Sequence, residues 1–159
     1  MSTLEEQLEA LAARVRALED EAEIGRLLVR YGFAVDTDDV EAMLSAFAPD
    51  AVITVDSGRE MRGHEEARQI VEGPIHQGYL PNCAHNIGPF TVEVHGDTAD
   101  ATGYSEVYLR DDDGGFHVER ISFNRWHLER RGDGWMITER HTSLLGSGEG
   151  AHALLRRGL

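Results

Sequence analysis

The sequence predicts an α+β fold in which a curved, mostly antiparallel sheet wraps around N-terminal helices and encloses a pocket. Three observations predict it. Apolar residues recur at helical spacing through the first third of the chain, and long strand-like stretches separated by Gly- and Asp-rich turns fill the second half. The two kinds of segment do not interleave as the strand–helix–strand units of a parallel sheet would. The 159 residues suit one domain, 1–159, with a helical arm at 1–22 and a tail at 146–159.

Leu4, Leu8, Leu11, Val15, Leu18 and Ala22 alternate spacings of four and three, which places one apolar stripe on a helix covering roughly residues 3–35. The stripe continues less strictly through Ile24, Leu27, Leu28, Tyr31 and Val35, with Gly25 and Gly32 as weak points. The charged residues flanking the first half suit either a partner subunit or the outside of the chain's own sheet. Asp36-Thr37-Asp38-Asp39 ends this helix and caps a short second one, in which Val40, Met43, Leu44 and Phe47 face one way. Ala51–Val55 is a β-branched strand, Gly58 marks a turn, and a further helix is expected from Gly63 to His76. Four long strands follow, at about 85–94, 99–110, 116–129 and 135–145, joined by hairpin turns. The tail holds one or two helical turns at 151–157.

Hydrophobic residues at 41% and charged residues at 28% belong to a folded chain rather than a disordered one. Fifteen Lys+Arg against 29 Asp+Glu give a net charge of −14, which repels nucleic acid and anionic membrane surfaces alike. No apolar run approaches the roughly 20 residues of a membrane span, and the N-terminus lacks the basic and apolar regions of a signal peptide, so a cytoplasmic location is expected. Cys83 is the only cysteine, which excludes an internal disulfide framework and a cysteine-rich zinc site. Near His85 it could suggest a Cys/His nucleophile, but a small buried residue at a strand start is the better reading. The eight histidines form no His-x-His or His-Glu-x-x-His pattern, and no phosphate loop, nucleophile elbow or dinucleotide fingerprint is present. Neither a metal nor another cofactor is therefore expected. The arm and a broad sheet face offer more apolar surface than a monomer should expose, predicting a homo-oligomer, a trimer or dimer.

Residues lining the pocket should come from the helix end and from alternate strand positions. On the third long strand Arg120, Ser122, Asn124 and Trp126 share one face; on the last, Met136, Thr138, Arg140 and Thr142 do. An amide such as Asn124 in an apolar strand costs stability unless its donors and acceptors are used, so it marks a polar network or pocket. Arg140 could equally pair with an outer acid, and Trp126 and Trp135 suit packing.

Five short motifs stand in order along the chain: Tyr31 followed by Asp36 at a helix end, Phe47-Ala48-Pro49-Asp50-Ala51-Val52, Ala84-His85-Asn86-Ile87-Gly88, Gly96-Asp97-Thr98-Ala99, and Arg131-Gly132-Asp133-Gly134-Trp135. They resemble those of the SnoaL-like, scytalone-dehydratase-like branch of the nuclear transport factor 2-like superfamily. Together they span about residues 20–145. The resemblance implies a cone-shaped α+β barrel and a catalytic pair in which Asp36 orients His85 as a general base, with Tyr31 assisting at a carbonyl or leaving hydroxyl. It also implies a substrate pocket with Ser122, Asn124 and Arg140, which carries Arg120, Trp126 and Phe47 towards the same space. The implied chemistry is cofactor-independent elimination of water or double-bond migration on a small hydrophobic ring compound. The same fold serves non-catalytic binding modules and small subunits of ring-hydroxylating oxygenases. A second histidine found in the scytalone dehydratase site has no counterpart near Gly103 or Ser105.

Overall fold

The computed structural model describes residues 3–56 and 58–159, so the first two residues of the expected arm lie outside it. Helix α1, Leu4–Asp36, begins at a capping box. The Glu6 N–H donates to the Thr3 hydroxyl at 3.2 Å, and the Thr3 N–H donates to the Glu6 carboxylate at 2.7 Å. Only the second half of the helix enters the core. Ile24, Leu28, Tyr31 and Val35 are buried along one stripe, whereas Leu4, Leu8, Leu11, Val15 and Leu18 remain 46–72% exposed. Each fully buried Ile or Leu contributes about 1.5–3 kcal/mol, which holds this half against the sheet.

At the end of α1 the Thr37 hydroxyl donates back to the Phe33 carbonyl at 2.8 Å, and Asp38 reverses the chain at φ 58°. The Asp39 carboxylate then caps α2, Val40–Leu44, by accepting from the Ala42 N–H at 2.9 Å. Strands β1, Phe47–Val55, and β2, Arg59–Arg62, form a hairpin. The helix expected from Gly63 to His76 is instead three short ones: α3, Gly63–Ala67; α4, Gln69–Glu72; and α5, Pro74–Tyr79. Gly73 is extended, at ψ 148°, and Pro74 has no N–H with which to continue the preceding helix.

The long strands are β3, Cys83–His95; β4, Thr98–Arg110; β5, Phe116–Arg131; and β6, Gly134–Leu144. The sheet order is β2-β1-β6-β5-β4-β3, antiparallel except for the parallel pair β1–β6. It is a curved, unclosed mixed sheet with β2 and β3 at its edges. Its inner face packs Ala99, Ala101, Trp126, Leu128 and Ile137 against the buried stripe of α1. The tail forms α6, Glu149–Arg156, on the outer face, where His152 stacks on Phe123 at 5.9 Å between ring centroids.

The expected parity of β6 is corrected by a bulge. His127 pairs with Glu139 but Leu128 pairs with Ile137, which leaves Thr138 as the extra residue. Ile137 and Arg140, three positions apart, therefore both face inward, and Thr138 turns its hydroxyl to the His127 carbonyl at 3.3 Å. No helix among the described residues is long and apolar enough to cross a membrane.

Candidate functional site

Asp36 is the last residue of α1, so its side chain reaches beyond the helix to the edge strand β3. The carboxylate accepts the His85 backbone N–H at 2.8 Å through Oδ2 and the His85 Nδ1–H at 2.7 Å through Oδ1. Two donors from one residue fix both partners, and the carboxylate dictates the tautomer, leaving Nε2 with the free lone pair. The pair is mostly buried, at 17% side-chain exposure for His85 and 20% for Asp36. Gly32 permits this approach: a Cβ there would stand 3.1 Å from the His85 carbonyl and 3.2 Å from Ile87.

Two neighbours complete the surroundings of the pair: His76, which carries no signal in the sequence, and Cys83. His76 on α5 is buried and donates from Nε2 to the Val35 carbonyl at 2.9 Å, tying α5 to the end of α1. Its ring lies 5.6 Å from that of His85. Burial pushes the His76 pKa below its usual value, and the nearby His85 acts in the same direction. Cys83 places its thiol 3.8 Å from Asp36 Oδ1. Burial and then the Asp36 charge push that thiol up, away from the reactive thiolate. Donor atoms of His76, Cys83 and His85 lie within 4.8 Å of one another, so these three are the residues that could share a soft metal ion.

A second group lies deeper. Arg140 is 9% exposed and, among the described residues, pairs with no carboxylate. Its Nε and one terminal nitrogen donate to Asn124 Oδ1 at 3.2 and 3.0 Å, and the other terminal nitrogen donates to the Tyr31 hydroxyl at 2.6 Å. The guanidinium also stands over the Tyr31 and Trp126 rings at 5.1 and 5.9 Å. Asn124, with no exposed surface, donates onward to Ser105 Oγ at 2.8 Å and to the Ser122 carbonyl at 3.3 Å. Tyr31 packs edge-on against Phe47, with ring centroids 5.6 Å apart. A guanidinium has five N–H groups, and three of them find acceptors among the described residues, which leaves two to offer. The buried Trp126 Nε1–H is also unpartnered.

Of the residues singled out in the sequence, Asp36 and His85 come together, and Tyr31, Phe47, Asn124, Ser122, Arg140 and Trp126 gather in the deeper group. Arg120 does not join them. It sits at the rim with a 41% exposed side chain, donating to Ser122 Oγ at 2.9 Å and pairing with Asp56, which also accepts from the Thr142 hydroxyl at 3.1 Å. Among the described residues no hydrogen bond joins the two groups, but strand register puts them on one face. His85, Val107 and Arg120 form one row across the sheet; Ile87, Ser105 and Ser122 the next; Gly103, Asn124 and Thr142 the one after. Two cavities lie elsewhere: about 540 Å³ between α6 and the β3–β4 hairpin, and about 800 Å³ between α1 and that hairpin's tip.

The family described as a SnoaL-like domain matches residues 16–141. No curated protein matches the chain. Among solved structures, an NTF2-like protein with a cystatin-like fold from Novosphingobium aromaticivorans is 36% identical over 98% of both chains, with a TM-score of 0.88. A proposed aromatic ring hydroxylase from the same organism is 28% identical over 80% of this chain and 90% of its own, with a TM-score of 0.60. A Catenulispora acidiphila protein in complex with S-DNPA is similar in fold, at 21% identity over 77% of this chain and 91% of its own and a TM-score of 0.65. On the family match and on the first of these likenesses, the chain belongs to the SnoaL-like family, within the NTF2-like proteins.

Proposed function

We propose that this protein is a cofactor-independent lyase or isomerase for a small, largely apolar ring compound bearing a carbonyl, and that His85, oriented by Asp36, is its general base. The observation that carries the reading is the 2.7 Å contact between Asp36 and His85 Nδ1, reinforced by the backbone N–H of the same histidine. A carboxylate in that position stabilises the imidazolium that forms when Nε2 takes a proton, so transfer at Nε2 becomes easier. The acidic proton would come from carbon next to the carbonyl, and the electron pair would move onto the carbonyl oxygen. Arg140 supports this step: a buried cation whose partners are neutral, with N–H groups to spare, is suited to a developing oxyanion. Tyr31, polarised by Arg140, and Asn124 would position that charge. Loss of hydroxide from the adjacent carbon, taking up a proton, completes a dehydration; return of the proton to a different carbon completes an isomerisation.

Family membership supports a ligand-binding or isomerase- and dehydratase-type protein, and fold alone does not separate these. The likeness to a proposed aromatic ring hydroxylase favours a second reading, that of a subunit supporting a ring-hydroxylating oxygenase. The test is solvent-deuterium exchange into a panel of cyclic ketones and β-hydroxyketones, followed by NMR. Exchange by the wild type, lost in His85→Ala and reduced in Asp36→Asn, is expected. The double variant should be little worse than His85→Ala, because the pair acts as one unit. Full exchange in His85→Ala would sink the base assignment.

A further inference from the structure

We propose that the arm Leu4–Ala22 pairs with the arm of a second copy of this chain as a parallel, two-stranded coiled coil. The arm is a capped helix about 28 Å long that presents Leu4, Leu8, Leu11, Val15 and Leu18 to solvent. Alternating spacings of four and three place Leu4, Leu11 and Leu18 at d positions and Leu8, Val15 and Ala22 at a positions of three heptads. Leucine at all three d positions with β-branched Val15 at the central a position favours two strands over three.

The protein's own body leaves this seam open. On the opposite side of the helix, Asp20 binds Arg130 at 2.6 Å and the Trp135 indole N–H at 3.1 Å, and Glu23 accepts from the Trp135 backbone. Ala13, Ala17 and Asp20 line the groove facing the β3–β4 turn at Gly96 and Asp97. Two bodies would therefore flank a central pair of arms without standing between them.

The flanking charges choose the orientation. In a parallel pair each g position faces the e position of the next heptad on the partner, which sets Arg14 against Glu19 and Glu21 against Arg26. Both contacts are attractive and can form twice by symmetry. The antiparallel arrangement that keeps the same apolar layers sets Arg14 against its own symmetry mate and Glu5 against Glu19, which repel. Arg14, Glu19, Glu21 and Arg26 make no ion pair within the chain among the described residues, so they are available for this role.

The test uses the full chain and light scattering at micromolar concentration. A dimer is expected. Leu11→Glu with Leu18→Glu, at side chains outside the core, should raise its Kd at least about 100-fold, since each subunit loses two buried leucines. Arg14→Glu alone should weaken the dimer, and Arg14→Glu with Glu19→Arg should restore it. In a Cys83→Ser background, Val15→Cys should form an intersubunit disulfide under mild oxidation, because a positions meet across a parallel axis. A monomeric wild type, a trimer, a dimer indifferent to the leucine changes, or a Val15→Cys variant that stays unlinked would each overturn the proposal.

Discussion

Replacing Asn124 with leucine tests how the fold tolerates a buried cation without an acid beside it. Asn124 is fully buried, and its Oδ1 is the acceptor for two of the Arg140 contacts, at 3.2 and 3.0 Å. Leucine approximates the amide in size and accepts nothing. A hydrogen bond to a charged group is worth about 1.5–3 kcal/mol, so losing two of them predicts about 3–6 kcal/mol of destabilisation, in line with the roughly 3–5 kcal/mol of stranding a buried charge. Arg140→Met in the same chain removes the charge that has been stranded. The double variant should therefore recover about 2–3 kcal/mol relative to the sum of the single effects. Urea unfolding followed by tryptophan fluorescence reads this directly, at fixed protein concentration and with comparable m-values. Additivity within about 0.5 kcal/mol would refute the reasoning, since the amide would then be packing rather than holding the guanidinium.

Two further outcomes follow from the structure. His76 is held neutral below its usual pKa of 6.5, so the unfolded chain binds its proton more readily than the folded one. That stability is present above pH 6.5 and is lost as pH falls through the lower folded value, so Tm should drop on mild acidification and drop less in His76→Gln; equal slopes would remove His76 as the cause. Gly103 lies under the irregular turn of β3, where a Cβ would stand 2.3 Å from the Pro89 carbonyl and 2.5 Å from Phe90 Cβ. Gly103→Ala should cost about 3 kcal/mol in chemical denaturation, whereas Gly96→Ala, with open space around it but positive φ, should cost about 1 kcal/mol.

Periodicity made the long elements legible because burial is patterned along the chain: the α1 stripe and the four long strands follow from spacing and turn chemistry alone. It failed where the cause was local or distant. The single apolar residue of Arg59-Glu60-Met61-Arg62 gives no alternation to read, yet Met61 is buried and pairs with Ile53. The helical pattern through 63–76 is real, but Gly73 and Pro74 act on backbone hydrogen bonds, which apolar spacing does not register.

The site divides along the same line. Asp36 and His85 were found through motif order, and Asn124 through the cost of an amide in an apolar strand. His76, 41 residues from its Val35 partner, and Asp56, beside Arg120 and Thr142, had no such signal, because their neighbours exist only after the chain has closed. Arg140 is the instructive case. Strict alternation put it on one face with Thr138 and the family resemblance turned that face inward, yet the bulge at Thr138 is what lets Arg140 and Ile137 share the inner face. One extra residue in β6 thus converts an alternating strand into one that places three core positions, Trp135, Ile137 and Arg140, on one side, with a cation at the point where the apolar layer ends.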